Sequence, residues 1–329
     1  MSQPLLALTM GDPSGIGPEV LVRAAATPPA GCRLVALGDR EVLASAQARF
    51  APELRLVERE APEAVTGEPG LLEVLHTGAL GEPLVVGQVR AASGEAACQA
   101  VLQGIGWARE GRVAGLVTAP LHKEALAAAG YTWPGHTELL AERSGAGEVA
   151  MMMVGDRLRV VLATIHCPLA EVPGRLTVAA ELRAMRLAHD GARALGVRAP
   201  RIAVAGLNPH AGEGGRFGTE ELEVIAPAVA QARAEGLSVE GPLAGDTVFL
   251  AAVQGRFDVV VAQYHDQGLI PIKLEGLDRG VNVTLGLPFV RTSPDHGTAF
   301  DRAWEGTADP GSMRRALEVA LELLPAQES

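Results

Sequence analysis

RIAVAGLNPHAGEGGRFGTEE, residues 201–221, passes from an unbroken apolar stretch through a Gly-rich loop into a helix start. The apolar run reads as a strand, and Thr219 with Glu220 and Glu221 reads as the cap and first turn of a helix over 218–235. The same plan extends outward in both directions. LLALT (5–9) is a strand, after which Pro18 and Glu19 open a helix. RLVALG (33–38) is a strand, 90–110 is an Ala-rich helix, and VAGLVT (113–118) is a strand again. On the other side come a helix at about 177–195, the buried strand DVVVAQ (258–263), the strand NVTLG (282–286) and an amphipathic helix at 311–324. Strands alternating with helices predict a largely parallel sheet. VAMMMVGDRLRVVLATI (149–165) departs from the plan: two strands joined by Gly-Asp predict a hairpin.

The chain of 329 residues, 48% hydrophobic and 20% charged, is long enough for two packed domains and too apolar for disorder. No repeat or low-complexity linker marks a junction. The expected division is a first domain of 1–128 with 275–329 around an inserted second domain of 129–274. A formal charge of −11 argues against nucleic acid as a partner. Three scattered cysteines, no membrane span and no signal-like N-terminus predict a reducing, cytoplasmic setting. Aromatics are 3%, so the core must be mostly Ala, Val and Leu. Of the 28 basic residues only two, Lys123 and Lys273, are lysines, and only two asparagines occur, Asn208 and Asn282. Their survival in so biased a composition draws attention to those four positions.

His166, His210 and His265 each follow a predicted strand. Ligands of open α/β sheets sit beyond the carboxyl ends of strands, where three imidazoles can converge on one metal ion. Each histidine alone is better explained by a hydrogen bond within its loop; the shared position puts a metal on an equal footing for the three together. Three neutral ligands leave a divalent ion its full charge and open positions for a substrate oxygen. Zn²⁺, Co²⁺ and Mn²⁺ suit imidazole, whereas Mg²⁺ prefers oxygen. His136 and Thr137 lie at a helix start, where they can cap the helix or hold a phosphate. Lys273, Asn282 and Arg291 suit the phosphate and carboxylate of a small anionic molecule. GDPSGIGPE (11–19) is neither a dinucleotide fingerprint nor a P-loop, and reads as a tight turn before a helix.

Taken together, TMGDPSGIGPE (9–19), TAPLHKEAL (118–126), GHTELLAERS (135–144), HCPLAEVP (166–173), GLNPHAGEGGRFGTEE (206–221), GPLAGDTVF (241–249), YHDQG (264–268) and GVNVTLGLPFVRTSPDHGTAF (280–300) resemble one family. It is the NAD-dependent 4-hydroxythreonine-4-phosphate dehydrogenase family of pyridoxal phosphate biosynthesis. A more distant likeness joins HGTAFDRAWEGTADPGSM (296–313) to the adenosine-binding segment of isopropylmalate and isocitrate dehydrogenases. The resemblance implies their two-domain α/β fold with the active site in the interdomain cleft.

It further implies oxidation of 4-phosphohydroxy-L-threonine by NAD, or NADP, to a 3-oxo acid that loses CO₂. By the same resemblance His166, His210 and His265 hold a divalent Zn, Co, Mn or Mg ion. His136, Thr137, Lys273, Asn282 and Arg291 contact the phosphorylated substrate, and Asp295, His296, Gly297 and Thr298 contact the cofactor. The protein is expected to be a homodimer with a shared site. Asp266 and Lys273 are the candidates for the general base. The alternatives are a dehydrogenase of 4-phospho-erythronate or 4-phospho-threonate, a three-His metal hydrolase, and a metabolite-binding protein on a dehydrogenase fold.

Overall fold

The computed structural model describes residues 3–133, 135–276 and 280–325. The chain divides into two compact units, Met1–Gly147 with Leu287–Leu324, and Glu148–Gly286. In the first lie β1 (Leu5–Thr9), α1 (Gly17–Ala25), β2 (Arg33–Gly38), α2 (Arg40–Phe50), β3 (Arg55–Arg59), β4 (Leu71–His76), α3 (Ala91–Arg109), β5 (Gly115–Thr118), α4 (Lys123–Ala128) and α5 (His136–Ser144). The second holds β6 (Ala150–Val154), β7 (Arg159–Leu162), α6 (Val172–Arg175), α7 (Val178–Ala194), β8 (Ile202–Ala205), α8 (Ala226–Ala234), β9 (Val239–Leu243), α9 (Val248–Val253), β10 (Val259–Ala262), α10 (His265–Glu275) and β11 (Val281–Leu285). The chain then returns to the first unit with β12 (Val290–Pro294) and α11 (Gly311–Leu323).

The strands of the first unit run in the order β3-β4-β2-β1-β5-β12, each pairing parallel. Its connections leave β1 on one side towards β2 and return on the other at β5, so β1 and β5 flank a point where the winding reverses. Leu5, Ala7, Val35, Leu37, Cys98, Val101, Leu116, Leu139 and Leu140 form one core here, small and aliphatic as the composition requires. Asp39 caps α2 by accepting from the backbone N–H groups of Glu41 and Val42. Buried Glu19 accepts from the N–H groups of Gly306 and Ala308, tying that loop to α1. β3, with sequence RLVER, escapes the sequence reading because it is a charged edge strand rather than an apolar run.

The second unit has the order β11-β6-β7-β10-β8-β9. The predicted hairpin is present as the antiparallel β6–β7 pair, and β11 adds antiparallel to β6. β7, β10, β8 and β9 are parallel. The structure groups 129–147 with the first unit, because α5 packs Leu139 and Leu140 into that unit's core. It groups 275–286 with the second, because β11 pairs with β6. The helix read over 218–235 is split: a π-helical turn at Glu221–Ile225 precedes α8. Thr219 does not cap it through its side chain; its carbonyl accepts from the N–H groups of Leu222 and Glu223 instead. Among the described residues no helix is long and apolar enough to cross a membrane.

Glu181, in the first turn of α7, is 0% exposed, and its carboxyl faces the Gln263 side chain. Burial pushes its carboxyl up to about 7 from an ordinary 4.5. The folded chain therefore keeps a proton that the unfolded chain releases between those values. Stability should fall as pH rises across that window, by on the order of 3 kcal/mol, and stay reduced above it. Glu181→Gln should remove this slope and be the more stable protein at pH 8 (urea unfolding at about pH 5 and 8). An equal stability difference between the two proteins at both pH values would contradict the assignment.

Candidate active site

The carboxyl ends of β7, β10 and β8 lie side by side, with Leu162 opposite Ala262 and Val261 opposite Val204. The three loops leaving this edge carry His166, His265 and His210. His265 is the first residue of α10, and its Nδ1 lies 2.7 Å from Asp266 Oδ1. A carboxylate only accepts, so the imidazole proton belongs on Nδ1 and the Nε2 lone pair is left for a cation. The rings of His166 and His265 approach to 5.8 Å between centroids, inclined at 42°. His210 is not grouped with that pair; its ring lies 6.2 Å from Phe217. Among the described residues no three His, Cys, Asp or Glu side chains are gathered in a metal-binding group.

His210 sits in an unusual backbone. From His210 to Gly215 every φ is positive, including His210 at 53°, Ala211 at 51° and Glu213 at 43°. A left-handed turn built partly from L side chains is strained and must be held from outside. Buried Glu221 holds it: its Oε1 accepts from Asn208 N at 2.7 Å and its Oε2 from Asn208 Nδ2 at 3.0 Å. A side chain at Gly212 would meet Glu221 Oε2 at 2.7 Å, so the turn can close on the carboxylate only with glycine there. Glu221 was legible in the sequence only as a first-turn acid; its tie to the loop is a tertiary contact.

The anion-binding candidates fall on both units. Arg291 on β12 is 1% exposed and donates from Nη2 to Thr118 Oγ1 at 2.7 Å. Burial lowers its guanidinium to about 9. His136, at the start of α5, has a buried Nε2 with no hydrogen bond. Burial, and then the charge of Arg291, hold its imidazole well below the usual range, so it is neutral beside a cation. Thr137 is buried next to it. In the second unit Lys273 is exposed in the last turn of α10, and Asn282 on β11 has a buried Oδ1 with no hydrogen bond. The structure thus brings His136, Thr137 and Arg291 together within one unit, with Lys273 and Asn282 on the other.

The segments proposed to hold a cofactor pack on each other in the first unit. Ile16 N donates to Thr298 O at 2.9 Å, and Trp304 Nε1 donates to Pro13 O at 2.9 Å. A Cβ at Gly15 would strike Thr298 O at 2.7 Å, which explains that glycine. His296 donates from Nδ1 to its neighbour's carbonyl, Gly297 O, and has a buried Nε2 with no hydrogen bond; burial lowers its imidazole. Asp295 leads into the same loop from the end of β12. Asp12, unnoticed in the sequence, is fully buried at the end of β1; its Oδ1 accepts from Ser14 N while Oδ2 has no partner. Burial raises its carboxyl to about 6. His122 stacks on Phe300 with 4.5 Å between centroids. Asp39 at the end of β2, where a dinucleotide fold places its ribose acid, is instead engaged by Glu41 N, Val42 N and Leu80 N.

Parallel sheets with imidazoles and a buried arginine near their strand ends are the layout of an α/β enzyme. The model of the pyridoxal phosphate biosynthetic protein PdxA family matches residues 30–320, and the chain belongs to that family. It is 55% identical over 318 residues to a 4-hydroxythreonine-4-phosphate dehydrogenase of Beijerinckia indica subsp. indica, covering 97% of this chain and 94% of the relative. It is 44% identical over 323 residues to a D-threonate 4-phosphate dehydrogenase of Cupriavidus necator, covering 97% of each. The crystal structure of 4-hydroxythreonine-4-phosphate dehydrogenase from Klebsiella pneumoniae superposes with a TM-score of 0.89 at 42% identity, over 98% of this chain and 100% of that one.

The left-handed turn makes a direct prediction. Ala211→Gly should raise stability by roughly 0.5–1 kcal/mol, because relief of the backbone outweighs the added freedom of the unfolded chain. Glu221→Ala leaves the half-buried Asn208 N–H without an acceptor, while Nδ2 keeps Glu220, and should lower it by about 1–3 kcal/mol. Urea midpoints of the two variants with opposite signs to these would show that the turn is not strained.

Proposed function

We propose that the chain oxidises 4-phosphohydroxy-L-threonine at C3 with NAD, giving 2-amino-3-oxo-4-(phosphonooxy)butanoate, which loses CO₂ to form 3-amino-2-oxopropyl phosphate. The observation that carries this reading is the 55% identity to a relative of that name over nearly the whole chain. NADP is the alternative cofactor. The geometry supports the chemistry. Buried Arg291 with neutral His136 and Thr137 suits an anionic oxygen cluster, the imidazole donating without adding repulsive charge. Lys273 and Asn282 would hold the remaining polar groups and align the C3–H bond.

His166, His210 and His265 are proposed to hold the divalent ion. The donor set fits it: His265 is oriented by Asp266 with its outer nitrogen available, and His166 is close by. Such an ion, when bound, lowers the pKa of the substrate hydroxyl and stabilises negative charge on the oxygen. Asp266 accepts from His265 and would orient that imidazole; Lys273, as an ammonium, would donate to the substrate and could take the hydroxyl proton only after losing its own. The unpaired Asp12 Oδ2 and His296 Nε2 are buried polar atoms suited to a nucleotide's hydroxyl or amide groups, beside Gly297, Thr298 and Asp295. NAD supplies the hydride acceptor.

A homodimer with a shared site completes the reading. Leu169, Phe217, Leu222, Leu250, Ile270 and Leu274 are all exposed on the second unit, Leu274 at 83%. Since His166 and His265 come together in one chain, His210 is proposed to come from the second copy. D-threonate 4-phosphate is the second substrate reading, favoured by the 44% identical relatives of that name. It replaces an amino group by a hydroxyl at C2.

NADH formation with each substrate decides between the two readings, and product in neither case would refute both. A chelator should abolish turnover and Zn²⁺, Co²⁺ or Mn²⁺ restore it; full activity in metal-free protein would remove the metal. Arg291→Ala and Lys273→Ala should each lower kcat/KM by roughly ten- to over a hundredfold, each losing a charge-assisted hydrogen bond. Wild-type kinetics from either would place the substrate elsewhere. Mixing inactive His210→Ala and His265→Ala subunits after reversible dissociation should regenerate one intact site per heterodimer. No recovery would mean that both ligands come from one copy.

A further inference from the structure

Beyond the ends of β7, β10 and β8 the backbone ladder stops, and side chains continue the tie between the histidine loops. Thr164, two residues before His166, donates from Oγ1 to Gln263 O at 2.7 Å, and both residues are buried. Gln263, two residues before His265, donates from Nε2 to Ala205 O at 2.8 Å. Its backbone N–H donates to Gln267 Oε1 at 2.7 Å, and Gln267 Nε2 donates to Gly206 O at 2.8 Å. Gln267 lies in the first turn of α10, the helix that His265 opens. Each side-chain bond to a neighbouring loop satisfies a carbonyl that the sheet leaves without a strand partner.

We propose that Thr164, Gln263 and Gln267 are positioning residues that hold His166 and His265 at their observed spacing and anchor both to the end of β8. The inference rests on the metal reading given above. Imidazole nitrogens must lie about 2.0–2.1 Å from a bound ion, so a loop displaced by even a fraction of an ångström loses its ligand. The three side chains act at that scale. Thr164 couples the His166 loop to the His265 loop through one hydroxyl. Gln267 is used at both ends, as acceptor from the His265 strand and donor to the loop that leads to His210. Glutamate cannot replace it: a carboxylate would keep the acceptor but face the Gly206 carbonyl with a second acceptor.

The test uses Co²⁺ as the probe, titrated into the metal-stripped full-length protein and followed by calorimetry and by visible absorption of the bound ion. Thr164→Val, which keeps the shape and removes the hydroxyl, should weaken Co²⁺ binding roughly ten- to a hundredfold and alter the absorption bands. Thr164→Ser should restore both to near wild type. Gln267→Glu should weaken binding in the same range with helix content unchanged by circular dichroism. If Thr164→Val does not fold, Thr164→Ser against Gln267→Glu decides the matter. Wild-type protein that binds no Co²⁺ overturns the metal reading and this proposal with it. Wild-type binding matched in affinity and spectrum by Thr164→Val and Gln267→Glu overturns the positioning role alone, leaving the metal reading in place.

Discussion

Parallel pairing of β10 between β7 and β8 is the constraint on which the second unit depends. Parallel strands share a carboxyl edge, so the three loops that leave them must emerge together. An antiparallel neighbour in place of β10 would send His265 to the far edge of the sheet. The same constraint acts in the first unit, where β1 and β5 bring the loops of Asp12 and His122 to a common edge. Strand direction therefore brings the three loops to one edge before any side chain takes part, though of their histidines only His166 and His265 meet there within the chain. What side chains add is the fine placement within each loop, through Glu221, Asp266 and the two glutamines.

The same logic separates two uses of buried charge. Glu19, Glu221 and Asp39 each accept from backbone N–H groups or a side-chain amide, and they fasten loops to helices. Asp12 retains an unpaired oxygen. A carboxyl that no protein donor satisfies costs stability on desolvation. For Asp12, at a strand edge where the winding reverses, a ligand would provide the missing donor. Glu181 lies behind the strands, against Gln263, and keeps its proton instead.

Much of this was legible in the sequence because apolar runs followed by Gly-rich loops report strand, direction and edge together. RIAVAGL and DVVVAQ enclose the shorter strands β8 and β10, four residues each, and the Gly-Asp hairpin is where its turn signal places it. The positions of the histidines after their strands followed from that alone. β3 was illegible because an exposed edge strand has no apolar period to read. The handedness of the turn at His210 was illegible for a different reason. Its sequence permits an ordinary loop, and only the buried carboxylate of Glu221, thirteen residues from Asn208 along the chain, selects the left-handed form. Asp12 and the glutamines were missed because burial, not residue type, gives them meaning.

The near absence of lysine has a chemical consequence. Apart from its N-terminus, the chain offers an amine-selective reagent only Lys123 in α4 and Lys273 in α10, both exposed. Arginine's guanidinium, protonated throughout the working range, is inert to such reagents. Acylation would therefore address a residue of the candidate site against an almost silent background. A bound anion shielding Lys273 but not Lys123 would leave its footprint in the ratio of the two labelled peptides, with the protein otherwise unaltered.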